Sequence, residues 1–255
     1  MGFWKNLSAI YRGSARTMRA LPLLALIPVV FELLQHVVEV RIGMYASIDA
    51  AKALEHDPAR MALGMVKIIG ITLPVYWTAR FLATGDRGFA ARFDPRAAGL
   101  FGFVLVFQVA TAALQLFVLP QTGTVVAASF AIGLVVAALL AAWYAAAPLG
   151  NARLGPIDSA RLMAPVVIST MILSVAAMLP LMVVHYGFAA LALLGPKAAL
   201  WPSMIVDSLI VGWLASILAA TVYVVAARAA DRSGTTLMPN DGGTPAAANL
   251  QEDPA

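Results

Sequence analysis

The chain has no cysteine in its 255 residues, which excludes disulfides, thiolate metal centres and a cysteine nucleophile. Charge is scarce too. Asp, Glu, Lys and Arg together make up 12% of the chain, about half of what a soluble globular domain carries. There is no His-Glu-x-x-His, no phosphate-cradling glycine loop and no Gly-x-Ser-x-Gly elbow, so no catalytic motif suggests a reaction. What remains is apolar. A hydrophobic fraction of 61% and a mean hydropathy of +0.85 leave no soluble globular reading.

The apolar residues fall into six runs, roughly 20–41, 62–83, 98–119, 124–148, 163–187 and 202–227. A helix rising about 1.5 Å per residue needs about 20 such residues to cross a hydrocarbon core of about 30 Å. Helices satisfy their own backbone hydrogen bonds where no water can. The expected fold is therefore all-α: a polytopic bundle of six transmembrane helices at 20–228. Residues 1–19 precede it, and a tail expected to be disordered, 229–255, follows. Those spans use most of the chain and leave no room for a soluble catalytic domain. The first run does not read as a cleaved signal peptide, because Glu32, His36 and Glu39 interrupt it and no small-x-small site follows. Asn6 stands where N-myristoylation needs Ser or Thr.

Basic residues in short loops stay on the cytoplasmic side. Lys5, Arg12, Arg16, Arg19, Arg80, Arg87, Arg92, Arg96, Arg153, Arg161, Arg228 and Arg232 fall on one side of the six runs. Arg41, Lys52, Arg60, Lys67 and Lys197 fall on the other, beside Asp49, Glu55 and Asp57. Both termini are thus expected in the cytoplasm, and the protein in the cell inner (plasma) membrane. Phe3, Trp4, Leu7, Ile10 and Tyr11 interleave with the first bases, which predicts a helix lying in the cytoplasmic interface. Arg12, Arg16, Arg19, Arg87, Arg92 and Arg96 are candidates for anionic lipid head groups, or plain orientation signals with aromatic anchors. Arg80, at the inner boundary, is expected to snorkel to head groups.

Asp57-Pro58 and Asp94-Pro95 place a capping carboxylate before a proline at the first helical position, opening spans two and three. Pro28, Pro74, Pro165 and Pro180 should kink their spans. Gly123 should break the chain between spans three and four. Span four is rich in alanine, with Ser129 and Gly133 four apart, which predicts a central packing helix.

Polar residues inside the apolar runs are the sharpest feature. Glu32, Gln35, His36 and Glu39 stand at i, i+3, i+4 and i+7, one face of span one. An ionised side chain at mid-membrane costs roughly 2.5–3.5 kcal/mol or more, so it faces protein or water and has a partner. Depth, counted by residue, puts Lys67 of span two, His185 of span five and Asp207 of span six in the same outer half. Gln108, Thr111 and Gln115 make another polar face on span three. Three readings stay open: a structural set of ion pairs; an outward-open path for a proton, ion or small polar solute; and a metal or reaction centre. Against the last, Glu-x-x-x-His-x-x-Glu lacks the second Glu-x-x-His helix of di-iron bundles. No cofactor, metal or nucleic acid is expected. The expected partners are membrane lipids, with a membrane-protein partner left open.

Trp143-Tyr144-Ala145-Ala146-Ala147-Pro148, followed by Gly155-Pro156-Ile157-Asp158-Ser159-Ala160-Arg161, resembles a pattern in bacterial six-span inner-membrane families. Those are related to the membrane domain attached to glycerophosphoryl diester phosphodiesterases. There a span ends at proline, a short Gly-Pro-x-x-Ala-Arg loop follows and another helix begins. The resemblance covers about a fifth of the chain, extends loosely to Tyr223–Arg228, and implies the six-helix class without a catalytic residue. The leading functional expectation is a non-enzymatic accessory or organising membrane protein. The alternatives are a small transporter or channel, and an intramembrane lipid-modifying enzyme.

Overall fold

The computed structural model describes residues 2–239, and among them every regular element is helical. The helices are α1 (Phe3–Ala20), α2 (Pro22–Arg41), α3 (Ile48–Ala53), α4 (Pro58–Thr72), α5 (Pro74–Thr84), α6 (Arg87–Ala91), α7 (Pro95–Ala113), α8 (Gly123–Ala146), α9 (Pro156–Met163), α10 (Val167–Leu194) and α11 (Leu200–Ser233). Six stretches are long and apolar enough to cross a membrane: Pro22–Arg41, Pro58–Thr84, Pro95–Val118, Gly123–Leu149, Pro156–Leu194 and Lys197–Ser233. The protein is thus a multi-pass helical membrane protein.

Helix starts follow local chemistry. The Asp57 carboxylate accepts from the amides of Ala59 and Arg60, and Asp94 does the same for Arg96 and Ala97. Each satisfies donors that the first turn leaves without partners. Gly85 (φ 70°) and Gly234 (φ 65°) end α5 and α11 in the left-handed conformation, where a side chain is strained. Pro74 divides span two into α4 and α5 at Leu73, and Pro165 lies in a one-turn 3-10 segment between α9 and α10. At Pro28 and Pro180 the helix runs on unbroken. Gly123 opens α8; the break between spans three and four falls earlier, after a π-helical turn at Leu114–Val118.

The central helix is α11, not α8. Over their most apolar stretches, 67% of span six lies buried but only 17% of span four. The reason is side-chain size: α11 offers Gly212, Ala215, Ser216, Ala219 and Ala220 to its neighbours, all buried, so backbones approach closely. It packs against α1, α2, α5, α8 and α10. α8 is buried only from Ala138 onward. There Ser159 enters its backbone: the hydroxyl donates to the Leu139 carbonyl (2.8 Å) and accepts from the Trp143 amide (3.0 Å), a pair that a plain helix joins directly.

α1 docks across the bundle by Ile10, Gly13, Ser14 and Thr17, one turn-to-turn stripe. Tyr11 Oη donates to the Ala177 carbonyl of α10 (2.7 Å), and Trp213 Nε1 of α11 donates to Ser14 Oγ (3.4 Å). The start of the expected tail is folded. α11 continues to Ser233, Leu237 is buried in the core, and Asn151 Nδ2 donates to the carbonyls of Thr236 (3.4 Å) and Leu237 (3.2 Å). α11 thus runs past residue 228 to Ser233, and Leu237 and Met238 pack against the core after it. Residues 240–255 of that expected tail lie outside the described residues.

Candidate functional site

The polar face predicted on span one is buried as a unit: Glu32, Gln35, His36 and Glu39 join Ala25 and Pro28 on the inward side of α2. Two features of α11 bring it opposite. Gly212 leaves room for Val29, whose Cγ2 would stand 2.5 Å from any Cβ placed there. Five residues before it, Asp207 meets His36. The carboxylate Oδ2 stands 3.1 Å from His36 Nε2 and Oδ1 stands 2.7 Å from His185 Nδ1 of α10. α4 supplies the cations. Lys67 Nζ lies 2.8 Å from Glu32 Oε2, and Arg60 Nε donates to Glu39 Oε1 at 3.0 Å. Four helices, α2, α4, α10 and α11, thus converge on one site.

Glu39 is the best-held member. Oε1 accepts from Gln35 Nε2 (3.0 Å) and from Arg60; Oε2 accepts from Tyr45 Oη (2.8 Å) and faces His36 Nδ1 at 3.3 Å. Tyr45 sits in the loop between spans one and two. Its burial, and the Glu39 charge beside it, push its phenol above the ordinary tyrosine value. His36 presents both ring nitrogens to carboxylate oxygens. A neutral imidazole donates from only one, so the second contact calls for another proton or a cation. Counted by formal charge, Glu32, Glu39 and Asp207 oppose Arg60 and Lys67, leaving one negative charge uncompensated when both imidazoles are neutral.

The structure brings Glu32, Gln35, His36, Glu39, Lys67, His185 and Asp207 together. Gln108 and Gln115 do not join them. Gln108 Oε1 accepts from Tyr144 Oη (3.3 Å) between α7 and α8. Gln115 is exposed at the π-helical turn, where its carbonyl accepts from Gln121. α7 packs on α4 and on the turn after α8, away from the α2–α11 seam. Two members were missed, Arg60 and Tyr45. Arg60 had a readable signal, because the Asp57-Pro58 cap places it in the first turn of α4, level with the end of α2. Tyr45 had none.

At the opposite end, Arg80 is fully buried and does not snorkel. Its Nε and Nη2 donate to the Phe89 carbonyl (3.1 and 2.9 Å) and Nη1 to the Pro148 carbonyl (3.0 Å). The guanidinium lies 4.1 Å from the centroid of Phe89 and 5.2 Å from that of Tyr76, within cation–π range. It ties span two to the loop after it and to the end of span four. Arg12, Arg16, Arg19, Arg87, Arg92 and Arg96 are all exposed. Arg92 reaches back over Phe89 (5.9 Å).

No family model, curated protein or solved structure matches the chain.

Proposed function

We propose that this is a non-enzymatic accessory or organising protein of the cell inner membrane, with both termini cytoplasmic and a basic, lipid-facing edge on α1. The observation that carries this reading is the two-sidedness of α1. Ile10, Gly13, Ser14 and Thr17 are spent on the bundle, while Arg12, Arg16 and Arg19 stay exposed at i, i+4 and i+7. Trp4 is exposed beside them at 75%. A basic stripe with an aromatic anchor suits anionic head groups, worth about 1 kcal/mol per Lys or Arg near the surface. The cluster at the other end acts as an ionic lock that holds α2, α4, α10 and α11 in register. Its geometry supports a packed role, since its members meet each other directly at hydrogen-bond or ion-pair distance.

Native mass spectrometry of the protein released from mixed vesicles tests the lipid edge. Retention of phosphatidylglycerol or cardiolipin over phosphatidylcholine is expected, and it should fall in Arg12→Gln/Arg16→Gln/Arg19→Gln. Equal retention in that variant would sink the reading. Transport of a small cation is the second reading, favoured by the uncompensated negative charge and by graded exposure: the His185 and Lys67 side chains are 21% exposed, those of Glu32 and Asp207 2%.

A further inference from the structure

Within the cluster, three atoms from two helices point at one another: Glu32 Oε1, His36 Nε2 and Asp207 Oδ2. All three residues are buried, and one ligand atom from each lies within 4.8 Å of the others. Hydrogen bonding accounts for only part of this. His36 Nε2 to Asp207 Oδ2 is 3.1 Å, but His36 Nε2 to Glu32 Oε1 is 3.7 Å, too long for a hydrogen bond. Glu32 is the anomaly. It is 2% exposed, its Oε2 is paired with Lys67 Nζ at 2.8 Å, and among the described residues its Oε1 meets only His36 Nε2, at 3.7 Å. A buried carboxylate oxygen such as Oε1, given no hydrogen bond by the described residues, marks a place for an ion.

The two separations from His36 Nε2 fit one. Two ligands each about 2.0–2.1 Å from a tetrahedral metal stand about 3.4 Å apart, between the two separations above. The remaining atom of each ligand is already engaged, as metal ligands require. His36 Nδ1 faces Glu39 Oε2 at 3.3 Å, giving a carboxylate–histidine pair behind the metal-facing nitrogen. Lys67 holds Glu32 Oε2, and His185 holds Asp207 Oδ1. Glu39 is in turn fixed by Arg60, Tyr45 and Gln35. A site with one imidazole and two carboxylates, and no thiolate, suits a borderline divalent ion such as Zn²⁺, Mn²⁺ or Fe²⁺ rather than Cu⁺.

We infer that Glu32, His36 and Asp207 form a divalent transition-metal site, with Glu39, Lys67 and His185 as positioning residues. The site rests on the cluster read above as an ionic lock and deepens that reading: the metal takes the contact that a neutral His36 cannot fill. The ion reverses the local imbalance from one negative to one positive charge, so it adds no larger charge than the site already tolerates.

The test uses full-length protein without a histidine tag, stripped with a chelator in detergent and titrated with Zn²⁺ and Mn²⁺. One tightly bound ion per chain by elemental analysis is expected, with a rise in melting temperature. Glu32→Gln and Asp207→Asn should weaken binding at least tenfold, and Glu39→Gln should weaken it about 10–100-fold without abolishing it. Co²⁺ substitution should give a d–d absorption that disappears in His36→Gln. The site is refuted if the wild type binds less than a tenth of an equivalent, or if binding is unchanged in Glu32→Gln and Asp207→Asn. Should those variants not fold, the wild-type stoichiometry and the Co²⁺ spectrum decide alone. The lock fails separately: it is wrong if the metal-free variants melt where the metal-free wild type does.

Discussion

Arg80 is the residue on which the membrane environment and the fold disagree most plainly. A basic residue at a span boundary has the option of reaching outward, yet this one turns inward and serves carbonyls of Phe89 and Pro148. The Phe89 carbonyl lies in the last turn of α6 and the Pro148 carbonyl in the 3-10 turn after α8, where helix ends leave acceptors without partners, and a buried unpaired acceptor costs about 1–3 kcal/mol. Arg80→Ala should therefore lower stability by on the order of 3 kcal/mol, measured by thermal or SDS-titrated unfolding. Arg80→Lys should recover only part, because an ammonium lacks the planar fork. Tyr45 allows a sharper test. Its hydrogen bond to Glu39 should make Tyr45→Phe less stable by about 1.5 kcal/mol near neutral pH. The folded phenol titrates above its ordinary value of 10.0, so the folded state keeps this proton when the unfolded chain has lost it. That contribution is full below pH 10 and declines as pH rises past it. The gap between wild type and Tyr45→Phe should hold constant from neutral pH to about 9 and narrow above 10; a gap that widens there would contradict the bond.

Between elements, small residues decide which helix is central. Gly212 admits Val29 so closely that an added Cβ would stand 2.5 Å from Val29 Cγ2 and 3.6 Å from the Ala25 carbonyl. Gly212→Ala should cost about 1–3 kcal/mol by forcing α2 off α11. It should also loosen Asp207 from His36, since the same seam carries both. Gly102→Ala on α7 meets nothing within 4 Å and should be neutral or stabilising by up to about 1 kcal/mol. Equal effects for the two would remove the case for α11 as the packing centre. The pair also explains what could be read in advance. Six spans, the caps at Asp57 and Asp94, and the polar stripe of α2 were legible because rise and periodicity are local properties. Depth was legible too, which is why Lys67, His185 and Asp207 were grouped with Glu32 and His36. Azimuth was not. Gln108 and Gln115 were grouped by depth, but Gln108 turns to Tyr144 of α8 and Gln115 is exposed in the π-helical turn after α7. Nor did small-residue content distinguish α8 from α11, because alanine serves a lipid-facing helix and a buried one equally well.

For the whole molecule, the opposite ends of the bundle differ in charge in a way that links placement to function. α1, the loop around α6, the turn at Gly150–Leu154 and the end of α11 meet at one end, joined by Arg80 to Pro148 and by Asn151 to Leu237. That end carries Arg12, Arg16, Arg19, Arg87, Arg92 and Arg96, all exposed. At the other end Arg60 and Lys67 lie half-buried against the Glu39 and Glu32 carboxylates, while Arg41, Lys52 and Lys197 are exposed. Lys and Arg in short loops favour the cytoplasmic side whether or not a carboxylate lies beside them. The proposed orientation therefore rests on the loop count alone. The absence of cysteine makes the test direct. Ala53→Cys lies exposed at the end of α3 and Ala91→Cys exposed at the end of α6. In intact cells a membrane-impermeant maleimide should label Ala53→Cys and spare Ala91→Cys until the membrane is opened. The reverse pattern would place the arginine edge outside. The anionic leaflet could then not be its partner, and the metal-binding end would face the cytoplasm.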